Sequence, residues 1–451
     1  MNESENTKEL VLEMLADRRY ADLKRRIDSM NPADIAVLLT EIPEEKVLPL
    51  FRLLAKELAA ETFSEMDADM QEMLVRTFTD KELKEVLEEM YVDDTVDMIE
   101  EMPANLINRV LKQSDPNTRK EINELLKYPE DSAGSIMTTE YMYLKEDMIV
   151  KDAFARIREV GEDKEDIYTC YVINETKKLI GLVTVRDLLL NSTHTRVGDL
   201  MEKNVIYVNT LDDKESVAKM FDKYNFRTLP VVDTESRLVG IVTVDDAIDV
   251  LQDENTEDFE KMAAMTPSED TYFKTSVFVH AKNRIVWLLV LMLSSTVTGM
   301  IITHYENAFA SVPLLVAFIP MLMDTGGNCG SQASTLIIRG LALDEISTKD
   351  FFKAVWIESR VSVLVATVLA PVNALRIYLQ YKNAGLSIVI ALTLVCVIFI
   401  AKMLGCALPM LAKRLKLDPA LMASPLITTI VDACSVLIYF NIAMRVLNLS
   451  V

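Results

Sequence analysis

Histidine and cysteine are scarce in this 451-residue chain, with 3 of the first and 5 of the second. His194, His280 and His304 stand too far apart to pair at metal-ligand spacing, which argues against a zinc-type site. Cys170 lies in the first half and Cys329, Cys396, Cys406 and Cys434 in the second, with no CxxC spacing, so a disulfide framework is excluded and the first half suits a reducing compartment. No nucleophile–base set or phosphate loop is present, which speaks against an enzyme. Basic residues are short in front: residues 1–280 hold 61 acidic and 34 basic residues, a balance of −27, while residues 281–451 hold 8 and 13, a balance of +5. Such a front half excludes nucleic acid as partner and attracts cations. Residues 1–12 contain Glu3, Glu5 and Glu9 and no apolar core, so no signal peptide is expected there.

What is present divides into segments. Over residues 8–128 apolar side chains recur at helical intervals, as in Leu83, Val86, Leu87 and Met90. Residues 34–43 (DIAVLLTEIP) resemble residues 94–103 (DTVDMIEEMP), which predicts stacked helical hairpins in an all-α superhelical domain over 1–130. A clearer repeat follows, because AGSIM at 133–137 returns as VGDLM at 197–201, and LIGLVTVRD at 179–187 returns as LVGIVTVDD at 238–246. Each copy reads as a strand, a helix, two strands around a turn and a final helix, giving α/β modules at 131–196 and 197–252. The layout resembles a tandem pair of cystathionine-β-synthase-type (CBS) domains, which implies regulation rather than catalysis. In CBS pairs that hold adenosine, the Thr and Asp of a Gly-x-x-Thr-x-x-Asp run contact the nucleotide. The resemblance therefore implies Thr184, Arg186, Asp187 and Phe226 as candidates for an adenine nucleotide such as ATP.

Next comes an acidic linker over 245–280, expected to be helical at its start. Asp246, Asp249, Asp253 and Glu257 fall at i, i+3, i+7 and i+11, one helix face, with Glu254 and Asp258 beside it. Like charges so spaced destabilise a helix unless a cation bridges them; otherwise they form a solvated face.

A transmembrane domain is expected over 281–451, with apolar segments at about 284–305, 312–341, 353–379, 385–412 and 419–447, each long enough to span. Lys274, Lys282 and Arg284 precede the first, Arg339, Lys349 and Lys353 separate the second and third, and Lys413, Arg414 and Lys416 precede the fifth. Against these, the other side has Arg376, Lys382 and Arg445, which predicts a multi-pass protein with its N-terminus cytoplasmic and its C-terminus outside. Asp324, Glu358 and Asp432 are acids in or near apolar runs, where an uncompensated charge is expensive. Glu358 is expected to pair with nearby Arg360. Ser424, Thr428 and Asp432 recur every four residues as one polar stripe, suited to a hydrated cation path or to a helix–helix hydrogen bond. The glycines of residues 324–332 (DTGGNCGSQ) interrupt the second run, as in a cavity lining or a close helix contact.

At this point the membrane half resembles the MgtE family of magnesium channels. The resemblance rests on Gly326-Gly-Asn-x-Gly-x-Gln332, Arg339-Gly-Leu-Ala342, Asp418-Pro-Ala420, Pro425, Thr428-Thr429 and Asp432, then Tyr439-Phe440. The order of segments fits it along essentially the whole chain. The sequence departs from it in lacking a proline before Trp287 and in having Ser435 where glycine is common. The family implies a homodimer in the cell (inner) membrane, with lipid around it and the two Asp432 carboxylates holding a hydrated magnesium ion on the two-fold axis. It also implies feedback, in which cytosolic magnesium bridges the linker acids to Asp93, Asp94 and Asp97, or to Asp213 and Glu215, and closes the pore. The alternatives are a divalent-cation exchanger driven by sodium or protons, and a membrane-anchored nucleotide sensor, although an anchor needs neither Asp432 nor the glycine segment.

Overall fold

The structure is a computed structural model that describes residues 3–268, 272–273, 275–306 and 312–448. Lys274 lies outside the described residues. Two compact units form, 1–252 and 253–451.

The first unit begins with ten short helices, from Glu3–Ala16 to Pro116–Leu125. Local sequence sets their starts: Asn31, Asp67 and Asp115 each accept from a backbone N–H of the following turn, and Thr79 with Glu82 forms a capping box. The two similar segments fall on helices Pro32–Glu41 and Val92–Glu100. Their apolar faces close on a core that includes Phe51, Phe63 and Phe78, whose rings lie 5.3 to 6.3 Å apart.

Two three-stranded sheets follow. In the first, β1 (Tyr141–Lys145) pairs parallel with β2 (Asp166–Ile173), and β2 pairs antiparallel with β3 (Leu179–Thr184). In the second, β4 (Val208–Asn209), β5 (Thr228–Val232) and β6 (Leu238–Thr243) repeat that order and those directions. The copies exchange edges. Glu202 of the second copy trades backbone hydrogen bonds with Leu182 of β3 at 2.9 and 3.0 Å, and Thr138 of the first trades them with Ile241 of β6 at 2.8 and 2.9 Å. Glycine permits the approach: a Cβ at Gly181 would strike Met201, and one at Gly240 would strike Met137. The repeated Met of each opening motif thus packs on the repeated Gly of the other copy.

The Thr and Asp of the repeated motif are structural as well. Thr184 and Asp187 cap helix Val185–Leu190 reciprocally, and the Thr243 hydroxyl donates to Asp246 at the start of helix Val244–Met262.

In the second unit the long helices are Val277–His304, Ile319–Ala342, Phe351–Tyr381, Ala384–Arg414 and Ser424–Leu447. Among the described residues, four helices are long and apolar enough to cross a membrane, and Ile319–Ala342 is not one of them. The reason is compositional, since Asp324, Asn328, Gln332 and four glycines dilute its apolar residues. At 24 residues it is still about 36 Å long. Its glycines serve contact: a Cβ at Gly326 would lie 2.8 Å from Val431, one at Gly327 2.9 Å from Thr428, and one at Gly330 2.8 Å from Ile427. A Cβ at Gly405 would overlap the Gly330 carbonyl, which fixes the crossing of the 319–342 and 384–414 helices. Tyr439, fully buried, donates its hydroxyl to the Leu315 carbonyl at 3.0 Å.

This geometry predicts that Gly405→Val lowers the unfolding temperature of the detergent-solubilised protein by at least about 2 °C, because overpacking of this kind costs about 1–3 kcal/mol. Gly299, with no atom within 4 Å of its would-be Cβ, is the control, and Gly299→Val should move the temperature by no more than about 1 °C. Equal shifts for the two variants would refute the close-contact account.

Candidate functional site

Carboxylates gather in the first unit. Helix Val92–Glu100 is held down by buried Val92, Thr95, Val96, Met98 and Ile99, which leaves Asp93, Asp94 and Asp97 clustered beside that core. Glu140, just before β1, accepts from the Val92 N–H at 3.3 Å, and the Glu165 N–H, just before β2, donates to the Glu140 carbonyl at 2.9 Å. Asp245 and Asp246 open helix Val244–Met262. Burial pushes the carboxyls up, and neighbouring negative charge adds to it. Asp93, Asp94, Glu140 and Asp246 rise to about 7, and Asp97 and Glu165 to about 8. Asp246 acts on Asp94 and Asp97, and Asp93 acts on Asp246, Glu140 and Glu165. Asp97 keeps an open edge, whereas Asp93 Oδ1 and Glu165 Oε2 are buried without a hydrogen-bond partner. Among the described residues, no three His, Cys, Asp or Glu side chains converge tightly enough to ligate an ion directly. A hydrated divalent ion, bound through its water, fits such a set.

Sequence spacing finds Asp246 and the family resemblance points to Asp93, Asp94 and Asp97, but both miss Glu140 and Glu165, which belong to no periodic pattern and are brought in by the sheet. Asp213 and Glu215 stand elsewhere: Asp213 accepts from the Ser216 N–H at 2.9 Å as a helix cap, and Glu215 pairs with Lys219 at 2.6 Å. The linker stripe divides. Asp246 joins the cluster, and Glu257 pairs at 2.6 Å with Lys261, which also reaches Asp418 at 2.8 Å. Desolvation alone would lower the Lys261 ammonium, and its two carboxylate partners reverse that and hold it charged. Asp249, Asp253 and Glu254 lie between these ends of the same helix, and Asp258 follows Glu257. Near its end Met262 packs on Ile338, Ala420 and Ala423, and Arg339 donates to the Asn255 side chain at 3.3 Å.

In the CBS pair, Phe226 stacks on Tyr224 with ring centroids 5.3 Å apart, and the Arg227 guanidinium lies 4.5 Å over the exposed Tyr168 ring. Arg186 is exposed and Asp187 half-buried. Tyr168 and Arg227 form an aromatic–cation platform that the motif alone does not reveal.

In the membrane unit Asp432 is half-buried on the Ser424–Leu447 helix, near enough to Asp324 for the two carboxylates to repel. No basic side chain pairs with Asp432 among the described residues. Thr428 lies one turn before it, its hydroxyl donating to the Pro425 carbonyl at 2.9 Å and leaving lone pairs to accept. The Ser424 side chain lies outside the described residues. Beside the stripe, the buried Ser435 Oγ has no partner. Glu358 differs from expectation: it pairs with Lys402 on the next helix at 3.5 Å, because helix Phe351–Tyr381 turns it toward helix Ala384–Arg414.

Fold and site define a class: a multi-span helical membrane protein whose spans follow an acidic helical domain and a CBS pair. Family models match the same layout, with the MgtE intracellular N domain over 30–131, CBS domains over 133–193 and 197–253, and the MgtE divalent cation transporter domain over 319–442. The magnesium transporter MgtE of Bacillus subtilis is 35% identical over 433 residues, 96% of either chain. That of Thermus thermophilus is 36% identical over 430 residues, covering 94% of this chain and 95% of its own. The chain belongs to the MgtE family. Its cytosolic part also resembles a solved cytosolic domain of the Mg2+ channel MgtE in complex with ATP, at 37% identity and a TM-score of 0.51, over 53% of this chain and 98% of that one. A solved soluble part of a magnesium transporter matches with 29% identity and a TM-score of 0.53, over 56% and 99%.

The raised carboxyls give a pH dependence with a definite sign. They hold protons in the folded state that the unfolded chain has already released, so stability is undiminished below the ordinary carboxylate range and falls as pH rises through 7 to 8. Without divalent ions, the full-length protein should lose protease resistance in its first 252 residues between pH 6 and pH 8.5, and millimolar magnesium should restore it. In a variant carrying Asp93→Asn, Asp94→Asn, Asp97→Asn and Asp246→Asn both effects should shrink to the part left by Glu140 and Glu165. An unchanged response in that variant would show that the cluster is not the ion-sensitive element.

Proposed function

We propose that this chain conducts magnesium across the cell membrane and that cytosolic magnesium closes it. The observation that carries the reading is Asp432, a half-buried acid among close-packed apolar helices with no basic partner among the described residues. A carboxylate at that depth persists where it faces water and a visiting cation. Magnesium gives up water reluctantly, so a route of carboxylate, hydroxyl and carbonyl oxygens passes it without full dehydration. The full-length relatives named magnesium transporters support the choice of ion.

Five spans, a cytoplasmic N-terminus and an outer C-terminus follow from the Lys and Arg distribution, with the Ile319–Ala342 helix counted as a span. A homodimer agrees with that helix, whose exposed Asp324, Asn328 and Gln332 cannot face lipid, and brings two Asp432 side chains to one ion. Regulation acts through the acidic cluster, where a divalent ion neutralises repulsion and favours one arrangement of helix Val244–Met262. The far end of that helix is tied through Lys261 to Asp418, six residues before the Asp432 helix begins, so its position bears on the pore. Mg2+ is thus both cargo and ligand. The CBS pair takes an adenine nucleotide, with Tyr168, Phe226 and Arg227 against the base and Thr184, Arg186 and Asp187 toward the sugar and phosphates. The solved relative in complex with ATP supports this.

In liposomes, Asp432→Ala should abolish magnesium flux while the protein remains folded, and wild-type flux should need no sodium or proton gradient. Undiminished flux in folded Asp432→Ala would remove the pore assignment, and a strict counter-ion requirement would favour an exchanger. For the nucleotide, calorimetry should give saturable ATP binding that Asp187→Ala or Arg227→Ala weakens at least tenfold. No heat at millimolar ATP would end that part of the reading.

A further inference from the structure

One charged pair in the membrane unit has no part in the route described so far. The Lys402 side chain is 5% exposed and that of Glu358 11%, and Nζ stands 3.5 Å from Oε2. Lys402 lies 11 residues before Lys413 on one unbroken helix, about 16 Å along its axis, well inside the apolar stretch. A pair at that depth is costly unless each group has further polar partners. One long, single-point contact leaves the other ammonium hydrogens and the second carboxylate oxygen to be satisfied elsewhere.

The surroundings supply a place for them. Glu358 and Lys402 form one wall of an open cavity of about 790 Å³, and Asn328, Ser331, Gln332 and Thr335 form the other, with apolar Val361 and Leu336 beside them. Those four fall at i, i+3, i+4 and i+7 of the Ile319–Ala342 helix, the face turned away from its glycine contacts. An ion with six waters occupies about 200 Å³, at about 30 Å³ per water, so the cavity holds a fully hydrated one. The polar part of its lining offers amides, hydroxyls and one carboxylate, and the single fixed cation present is already spent on that carboxylate.

We propose that Glu358 and Lys402 set ion specificity: a hydrated divalent cation enters this cavity by displacing the Lys402 ammonium from Glu358. The physical basis is competition by valence. A monovalent ion offers Glu358 no more charge than the tethered ammonium does, and the ammonium is always at hand. A divalent ion offers twice the charge, so it alone displaces the lysine, and the returning lysine releases it. The inference rests on the membrane unit being a cation route, which Asp432→Ala tests separately.

The test uses full-length protein in liposomes, with magnesium and sodium fluxes measured on each variant that elutes as the wild type does. Lys402→Met should raise sodium flux at least fivefold, and Glu358→Gln should reduce magnesium flux at least tenfold. Because either single change can leave a buried charge unpaired, the neutral double variant Glu358→Gln/Lys402→Met is decisive for packing: it should fold and lose at least fivefold in its magnesium-to-sodium flux ratio. A folded double variant with the wild-type ratio overturns the proposal. Thr335→Cys leaves the pair intact and tests the cavity itself. A charged, membrane-impermeant methanethiosulfonate should label it faster than the parent chain, and magnesium should slow that labelling. Labelling no faster than the parent's overturns the proposal even if the double variant fails to fold.

Discussion

Carboxylates confined together without cations of their own repel each other, and the confinement here is imposed by apolar packing. Val92, Val96 and Ile99 pin the helix that bears Asp93, Asp94 and Asp97, while the strands of the first sheet deliver Glu140 and Glu165 to the same place. The side chains cannot escape without unpacking a core, so burial first and their mutual repulsion second raise the carboxyl pKa values. Only protons or multivalent cations relieve that repulsion. Asp246 is both a member of this set and the first-turn residue of the linker helix, so relief acts directly on that helix.

In the membrane unit, one stretch of sequence meets two opposed demands. Gly326, Gly327 and Gly330 let the 319–342 helix press against Thr428, Val431 and Ile427, while Asn328, Ser331, Gln332 and Thr335 face the other way. Helical periodicity separates the two sets, so one helix packs tightly on one side and is hydrated on the other. Its low mean hydropathy beside the other long helices is a direct result.

Much of this was legible in the sequence. The duplicated GxxTxxD runs announced the two α/β modules, the spacing of the linker acids singled out Asp246, and the family resemblance pointed to Asp93, Asp94 and Asp97, while the DTGGNCGSQ segment and Asp432 stood out as the candidate membrane site. Glu140 and Glu165 were not, because their neighbours in space come from strand pairing across long stretches of chain. Lys402 is not legible because it stands alone in an apolar run and its partner is 44 residues away on another helix. Proximity in sequence points Glu358 to Arg360, which at two residues' distance lies on a different side of the helix. The linker stripe looked like one uniform face, yet its two ends have different partners: Asp246 a carboxylate cluster, Glu257 a lysine. Periodicity gives a shared face and says nothing of what lies opposite each turn.

The edge exchange in the CBS pair also bears on how such a chain can evolve. Met201 fills the gap over Gly181 and Met137 the gap over Gly240, so each half of the duplication completes its twin. Neither half could be lost, shortened or recruited alone without leaving the other an open sheet edge. A substitution at one methionine would be felt in the opposite half, and compensating changes should arise there rather than nearby. The duplication has in this sense become irreversible, two copies of one ancestor that now inherit as a single unit.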